Sequence, residues 1–83
     1  MKITVKYFAS IREALGTGGE AMETLATTVA GLRDELIARG GVYAESLARG
    51  KAVRVAINQM LAVETAALVE GAEVAFFPPV TGG

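Results

Sequence analysis

One segment of this 83-residue chain has the periodicity of a long amphipathic helix, and the segments on both sides of it alternate. Val29, Leu32, Leu36 and Ile37 fall at i, i+3, i+7 and i+8 within residues 29–39, one face of a 3.6-residue repeat. Such a helix must bury its apolar stripe, and the alternating segments must bury theirs. In a chain too short for a second core, one arrangement meets both needs: the helix lies across one face of a single sheet. The expected class is α+β, a mixed sheet rolled around one main helix in one domain.

The alternation sets the strands. Over residues 2–8, Ile3, Val5 and Tyr7 share one face, with Thr4, Lys6 and Phe8 on the other. Residues 9–15 form a short helix, with Ser10 as a candidate cap and Gly16 as its stop. Gly16-Thr17-Gly18-Gly19 turns the chain into a weaker strand over residues 20–25. Thr27-Thr28 caps the main helix, and Gly31 weakens it by ~1 kcal/mol relative to Ala if exposed. Arg39 suits the dipole at the helix end, and Gly40-Gly41 stops it. A short irregular helix is expected over residues 42–49. Val53, Val55 and Ile57 point inward from the next strand, Asn58-Gln59 interrupts it, and residues 61–63 form a short edge strand. A turn of helix or 3₁₀ is expected over residues 65–69. The last strand, residues 73–77, carries Val74 and Phe76 on one face and Glu73, Ala75 and Phe77 on the other. It stops at Pro78-Pro79, because neither proline has an N–H to continue a ladder. This order of elements is that of the β-grasp, or ubiquitin-like, fold.

Composition removes most chemistry from the chain's own side chains. There is no Cys, hence no disulfide, no thiolate nucleophile and no Cys-ligated cluster. There is no His, the most frequent general base and commonest transition-metal ligand. The carboxylates show no metal-ligand spacing and are expected to form a solvated acidic face; the chain is expected to bind no cofactor or metal by itself. Eight Lys and Arg against nine Asp and Glu give a net charge of -1, with the basic residues scattered, so no nucleic-acid partner is expected. The uncharged run from Val55 to Val63 is too short to span a bilayer and contains Asn58 and Gln59. With no apolar leader at Met1-Lys2-Ile3-Thr4, the expectation is a cytoplasmic protein with no membrane partner.

Two features point to function. The first is the end of the chain, where residues 80–83, Val80-Thr81-Gly82-Gly83, follow a domain of residues 1–79 as an exposed tail. Glycines have no Cβ, so Gly82-Gly83 can enter a narrow channel and deliver a main-chain carboxylate to a partner's site. Two terminal glycines also arise by chance; the strand and prolines before them favour a functional end. The second feature is a pair of outward aromatics. If the first and last strands are parallel neighbours, as the β-grasp order implies, Phe8 and Phe77 lie together on the helix-free face. They then form an apolar patch beside the tail, extended by Leu61 and rimmed by Arg12.

Residues 73–83, Glu73-Val74-Ala75-Phe76-Phe77-Pro78-Pro79-Val80-Thr81-Gly82-Gly83, closely resemble the C-terminal signature of the molybdopterin synthase small-subunit family, the sulfur carriers of molybdenum cofactor synthesis. Tyr7-Phe8-Ala9-Ser10-Ile11-Arg12-Glu13 is similar to that family's first strand and helix entry, and Ala56-Ile57-Asn58-Gln59 to its central strand. Ala72 departs from the family, which more often has an acidic residue there. The resemblance implies a ubiquitin-like fold and a chemistry carried by Gly83. An E1-like adenylyltransferase using ATP and Mg²⁺ would turn the Gly83 carboxylate into an acyl-adenylate, and a persulfide sulfur donor would convert it to a thiocarboxylate. The end would then enter the large catalytic subunit of molybdopterin synthase, in an expected heterotetramer, and give sulfur to cyclic pyranopterin monophosphate. By the same resemblance Phe8, Arg12, Leu61, Phe77, Pro78, Pro79 and Val80 are partner contacts, while Thr81 and Gly82 give access to Gly83. The chain would be no enzyme alone but the sulfur-donating subunit of one. The alternatives are the thiamine-thiazole sulfur carrier, a ubiquitin-like protein modifier, and a plain β-grasp interaction module.

Overall fold

A computed structural model of the chain describes residues 1–79; Val80, Thr81, Gly82 and Gly83 lie outside the described residues. The elements run β1 (Lys2–Tyr7), α1 (Ala9–Leu15), β2 (Gly19–Glu23), α2 (Val29–Ile37), α3 (Gly41–Leu47), β3 (Arg54–Ile57), β4 (Met60–Ala62) and β5 (Glu73–Phe77). The strands form one sheet in the order β2-β1-β5-β3-β4. β1 and β5 are parallel neighbours at its centre, and the other pairs are antiparallel.

The period-two pattern places the core. Ile3, Val5 and Tyr7 of β1, Val55 of β3, and Val74 and Phe76 of β5 are buried on one face. Val29, Leu32 and Leu36 of α2 are fully buried against them, joined by Ile11 of α1 and Leu47 of α3 in one cluster. Val53 and Ile57 pack on its margin, as their parity requires. Every buried apolar helix residue belongs to this cluster, so the helices share one side of the sheet and leave the other open. Ala72, where an acidic residue would be usual, is itself in the core at 2% exposure, a place for a small apolar side chain.

Local expectations fail where distant backbone decides. Residues 65–69 are not helical. The carbonyls of Ala66 and of Glu64 just before the segment are committed to the start of α2: Val29 N–H donates to Ala66 O at 3.1 Å and Ala30 N–H to Glu64 O at 2.8 Å. Leu68 N–H in turn donates to Thr27 O at 2.9 Å, and Thr28 and Ala67 form an antiparallel bridge. The segment thus satisfies helix N-terminal donors that have no intrahelical partner, while Thr28 caps Gly31 N–H from its side chain. Gly31 has a packing reason: a Cβ there would come within 3.2 Å of Ala26 Cβ. Ser10 is not a cap. It lies inside α1, whose N-cap is Phe8, and the chain enters that helix through Ala9 at φ 52°, a left-handed value that L-residues adopt at a cost. Arg39 lies beyond the last turn of α2 and serves a different group.

That group is Glu20, and it shows that the acidic residues are not simply a solvated face. Tyr7 and Tyr43 each donate a hydroxyl hydrogen bond to Glu20 Oε2 at 3.0 Å. Arg39 Nη1 lies 2.9 Å from both Glu20 oxygens, and its guanidinium sits 4.8 Å from the Tyr43 ring centre. Burial alone would raise the Glu20 pKa, but the bonds from Arg39, Tyr43 and Tyr7 outweigh it and hold the carboxyl below 4.5. Burial, and then the bond to Glu20, push the Tyr7 phenol well above its ordinary 10.0. The signs give a pH profile. A depressed carboxyl contributes stability above its unfolded pKa and loses it as pH falls through the folded value; a raised phenol keeps the fold favoured up to about 10 and loses that contribution as pH rises further. Urea titrations across pH should therefore show a neutral plateau with falls below about 4.5 and above about 10. Glu20→Gln should shrink the acid fall and Tyr7→Phe the alkaline one.

Candidate functional site on the open face of the sheet

The strand registers assemble the open face row by row. Tyr7 pairs with Phe76 across the parallel β1–β5 ladder, and Phe8 N–H continues it by donating to Phe76 O at 3.1 Å. Phe8 and Phe77 are the next residues in that register and share the open face. Phe77 is in turn opposite Arg54 of β3. The adjacent row runs Lys6, Ala75, Ala56, Leu61 across β1, β5, β3 and β4. Ala75 and Ala56 are buried at 7% and 9% with no helix above them, since their one-carbon side chains sit low between larger neighbours. The face is thus a shallow trough floored by two alanines. Phe8 and Phe77 stand on one side, Leu61 at one end, and Lys6, Arg54 and Glu73 form a polar rim. Lys6 Nζ and Glu73 Oε1 are 3.5 Å apart.

Phe8 is 44% exposed, Leu61 is 79% exposed and Phe77 is half-buried. Phe8 and Phe77 come together as expected. Leu61 joins the patch through the alanine floor and not by direct apposition to Phe77. Sequence reasoning missed that floor, Ala75 and Ala56, although strand parity had already placed Ala75 on the outer face. Arg12 is exposed on α1 with its guanidinium over the glycine turn, where a Cβ on Gly18 would meet Arg12 Nε at 3.3 Å. Pro78 and Pro79 are half-buried, and Pro78 lines a groove with Ser10, Ile11 and Ala14 of α1 and with Val53. β5 therefore carries the chain through the patch at Phe77 and past α1. Val80, Thr81, Gly82 and Gly83, the remaining expected site residues, lie outside the described residues. Among the described residues no helix is long and apolar enough to cross a membrane, and no group of three or more carboxylates is placed to hold a metal ion.

A five-stranded mixed sheet with parallel central β1 and β5, gripping its helices on one face only, defines a ubiquitin-like β-grasp protein. Comparison with known proteins narrows this: the chain belongs to the ThiS family, whose model matches residues 5–83. It is 42% identical over 81 residues to the molybdopterin synthase sulfur carrier subunit of Escherichia coli, covering 98% of this chain and 99% of that one. Among solved structures it is similar to SAMP1 from Haloferax volcanii, with a TM-score of 0.76, 26% identity and full coverage of both chains. The same fold recurs, with a TM-score of 0.69, 24% identity and full coverage of both chains, in a complex of subunits 1 and 2 of molybdopterin-converting factor from Helicobacter pylori.

Proposed function

We propose that this chain is the sulfur carrier subunit of a molybdopterin synthase, and that Gly83 is its reactive end. The observation that carries the proposal is the path of β5. The strand that contributes Ala75 and Phe77 to the open apolar face is also the one that leads, through Pro78 and Pro79, to Gly82-Gly83. A partner that binds the face at Phe77 is six residues along the chain from Gly83. The family membership and the name of the Escherichia coli relative support the same reading.

The chemistry follows from what a carboxylate lacks. A carboxylate is a poor electrophile, so an E1-like adenylyltransferase would use ATP and Mg²⁺ to join AMP to the Gly83 carboxylate, releasing pyrophosphate. The outer sulfur of a donor's persulfide would then attack the acyl carbon and expel AMP, giving an acyl disulfide with the donor. A thiol would break its S–S bond, becoming a disulfide as the acyl sulfur is reduced, and the chain would end in a thiocarboxylate. Seated in the large catalytic subunit, that end would give its sulfur to cyclic pyranopterin monophosphate, with acid and base supplied by the large subunit. A chain without Cys or His needs no side-chain chemistry of its own for this role. A subunit that donates sulfur, and is no catalyst alone, is its place in the complex.

Docking should depend on the aromatic wall. Phe77→Ala should weaken binding of the large subunit by about 30-fold in calorimetry, the ~2 kcal/mol of a central aromatic contact, while circular dichroism stays native. An unchanged affinity would remove the open face from the interface. Affinity purification from cell extract separates the carrier from a protein modifier. The carrier predicts one heteromeric complex, whereas a ladder of isopeptide conjugates would overturn it.

A further inference from the structure

The uncharged run from Val55 to Val63 forms the β3–β4 hairpin, and the proposed docking face leaves one part of it unused, the free edge of the sheet. Asn58 and Gln59 have φ of 50° and 69° and form the two-residue turn, with Ile57 paired to Met60. Left-handed values at both central positions define a type I′ turn, whose flanking residues are a hydrogen-bonded pair. Antiparallel pairs alternate, so Val55 and Ala62 are the next hydrogen-bonded pair, and the intervening Leu61 turns its main chain away from β3. The other side of β3 gives the same phase. Asn58 N–H donates to Glu73 O at 2.8 Å, so the even residues of this strand face β5 and the odd ones face β4.

At the edge this exposes Leu61 N–H, Leu61 C=O and Val63 N–H; Val63 O already accepts from Ala66 N–H at 3.0 Å. Leu61 and Val63 are 79% and 67% exposed, and no charged residue occurs between Val55 and Val63. The opposite edge is built differently. β2 turns Ala21 and Glu23 outward, and an edge carboxylate guards against strand addition. β4 has no such guard. Its Leu61 side chain also lies in the same row as Ala56 and Ala75, so whatever covers the alanine floor reaches the open main-chain groups beside it.

We infer that an extended segment of the protein covering the open face, the large subunit in the reading above on which this rests, adds to β4 as a sixth strand. One residue of that segment would exchange two main-chain hydrogen bonds with Leu61. Paired residues point to the same side of a sheet, so its side chain would lie beside Leu61 over the trough and is expected to be apolar. A second copy of this chain is the weaker occupant. A two-fold on this edge would pair only the three residues of β4 with themselves, in a contact much smaller than the roughly 1,000 Å² of a stable interface.

Amide hydrogen exchange, followed by NMR on the full chain with and without the large subunit encoded by the same genome, tests this residue by residue. Leu61 and Val63 amides should exchange at least about tenfold more slowly in the complex, while Ala21 on the guarded edge stays unchanged; the factor is that expected of a hydrogen bond of ~1.4 kcal/mol. Binding in calorimetry with Leu61 exchange unaltered would overturn the added strand and leave the docking face intact. Absence of binding would overturn the partner reading and the pairing together. Slow Leu61 exchange in the free protein, with a dimer in sedimentation, would assign the edge to a second copy instead.

Discussion

Removing Gly83 should abolish molybdenum-enzyme activity in cells that depend on this chain, while the folded domain and its docking face persist. The two halves of that result rest on different parts of the molecule. Among the described residues, 1–79, the buried core residues end at Phe76 and the sheet pairing reaches Arg54 with Phe77. Truncation by one residue therefore takes nothing from the described fold. What it does remove is the acyl carbon of Gly83, which the proposed chemistry would adenylate and then load with sulfur. The new end, at Gly82, falls one residue short of the reacting position, a displacement of about 3.3–3.6 Å in extended chain. Misplacement by as little as 1 Å can cost about 100-fold in rate. Molybdenum-enzyme activity should fall to background on complementation, with large-subunit binding within a few-fold of the intact chain. Retained activity would reduce the protein to an interaction module with an inert end.

The second large effect concerns stability and a residue far from the tail. Arg33 is 3% exposed, in the middle of α2. Its guanidinium donates to Leu47 O and Ala48 O at 2.7 Å, to Lys51 O at 3.2 Å and to Glu64 Oε2 at 2.6 Å. Arg49 holds the other oxygen of Glu64 and also Asp34, so α2, the end of α3, the β3 approach and the β4–β5 loop meet at one planar cation. Arg33→Met keeps the apolar stem but removes a donor from three carbonyls and from Glu64 Oε2, leaving Ala48 O only its bond from Lys51 N–H and Glu64 only its pairing with Arg49. Breaking a buried, hydrogen-bonded charge of this kind costs roughly 3 kcal/mol. In a domain this small that is a large share of the total stability. Arg33→Lys should lose less, because it keeps the charge but not the fork that reaches several acceptors. Urea denaturation should show the order wild type, Arg33→Lys, Arg33→Met. Equal stability for all three would mean that water satisfies the carbonyls.

Arg33 also marks where sequence reading stops. The stripe of Val29, Leu32 and Leu36 is a property of one segment and was legible, as were Ile3, Val5 and Tyr7 on one face and Val74 and Phe76 on another. From those the sheet, its side of burial and the meeting of Phe8 with Phe77 followed once the strand order was supplied. Three of the four partners of Arg33 are main-chain carbonyls 14 to 18 residues away, and no residue type announces them. The same holds for Glu64 and Ala66, whose carbonyls serve the first N–H groups of α2, and for Glu20, whose three donors come from β1, from Arg39 just past α2 and from α3. Carboxylates that look like a solvated face in a string of letters are ties between elements in the fold. Of the candidate site, the placing of Phe8 and Phe77 on one face was legible from strand parity, and the chain end lies outside the described residues. The floor of the site depends on the register that puts Ala56 between Ala75 and Leu61, which only the paired sheet reveals.

The central claim is that Gly83 carries sulfur, and one measurement reaches it directly. The chain is co-expressed with its activating enzyme and its intact mass is determined, with fragmentation to locate any change. The account predicts a mass shift corresponding to one oxygen replaced by sulfur, confined to Gly83 and absent when the activating enzyme is omitted. An unmodified carboxylate under those conditions, or a shift located elsewhere in the chain, would contradict it.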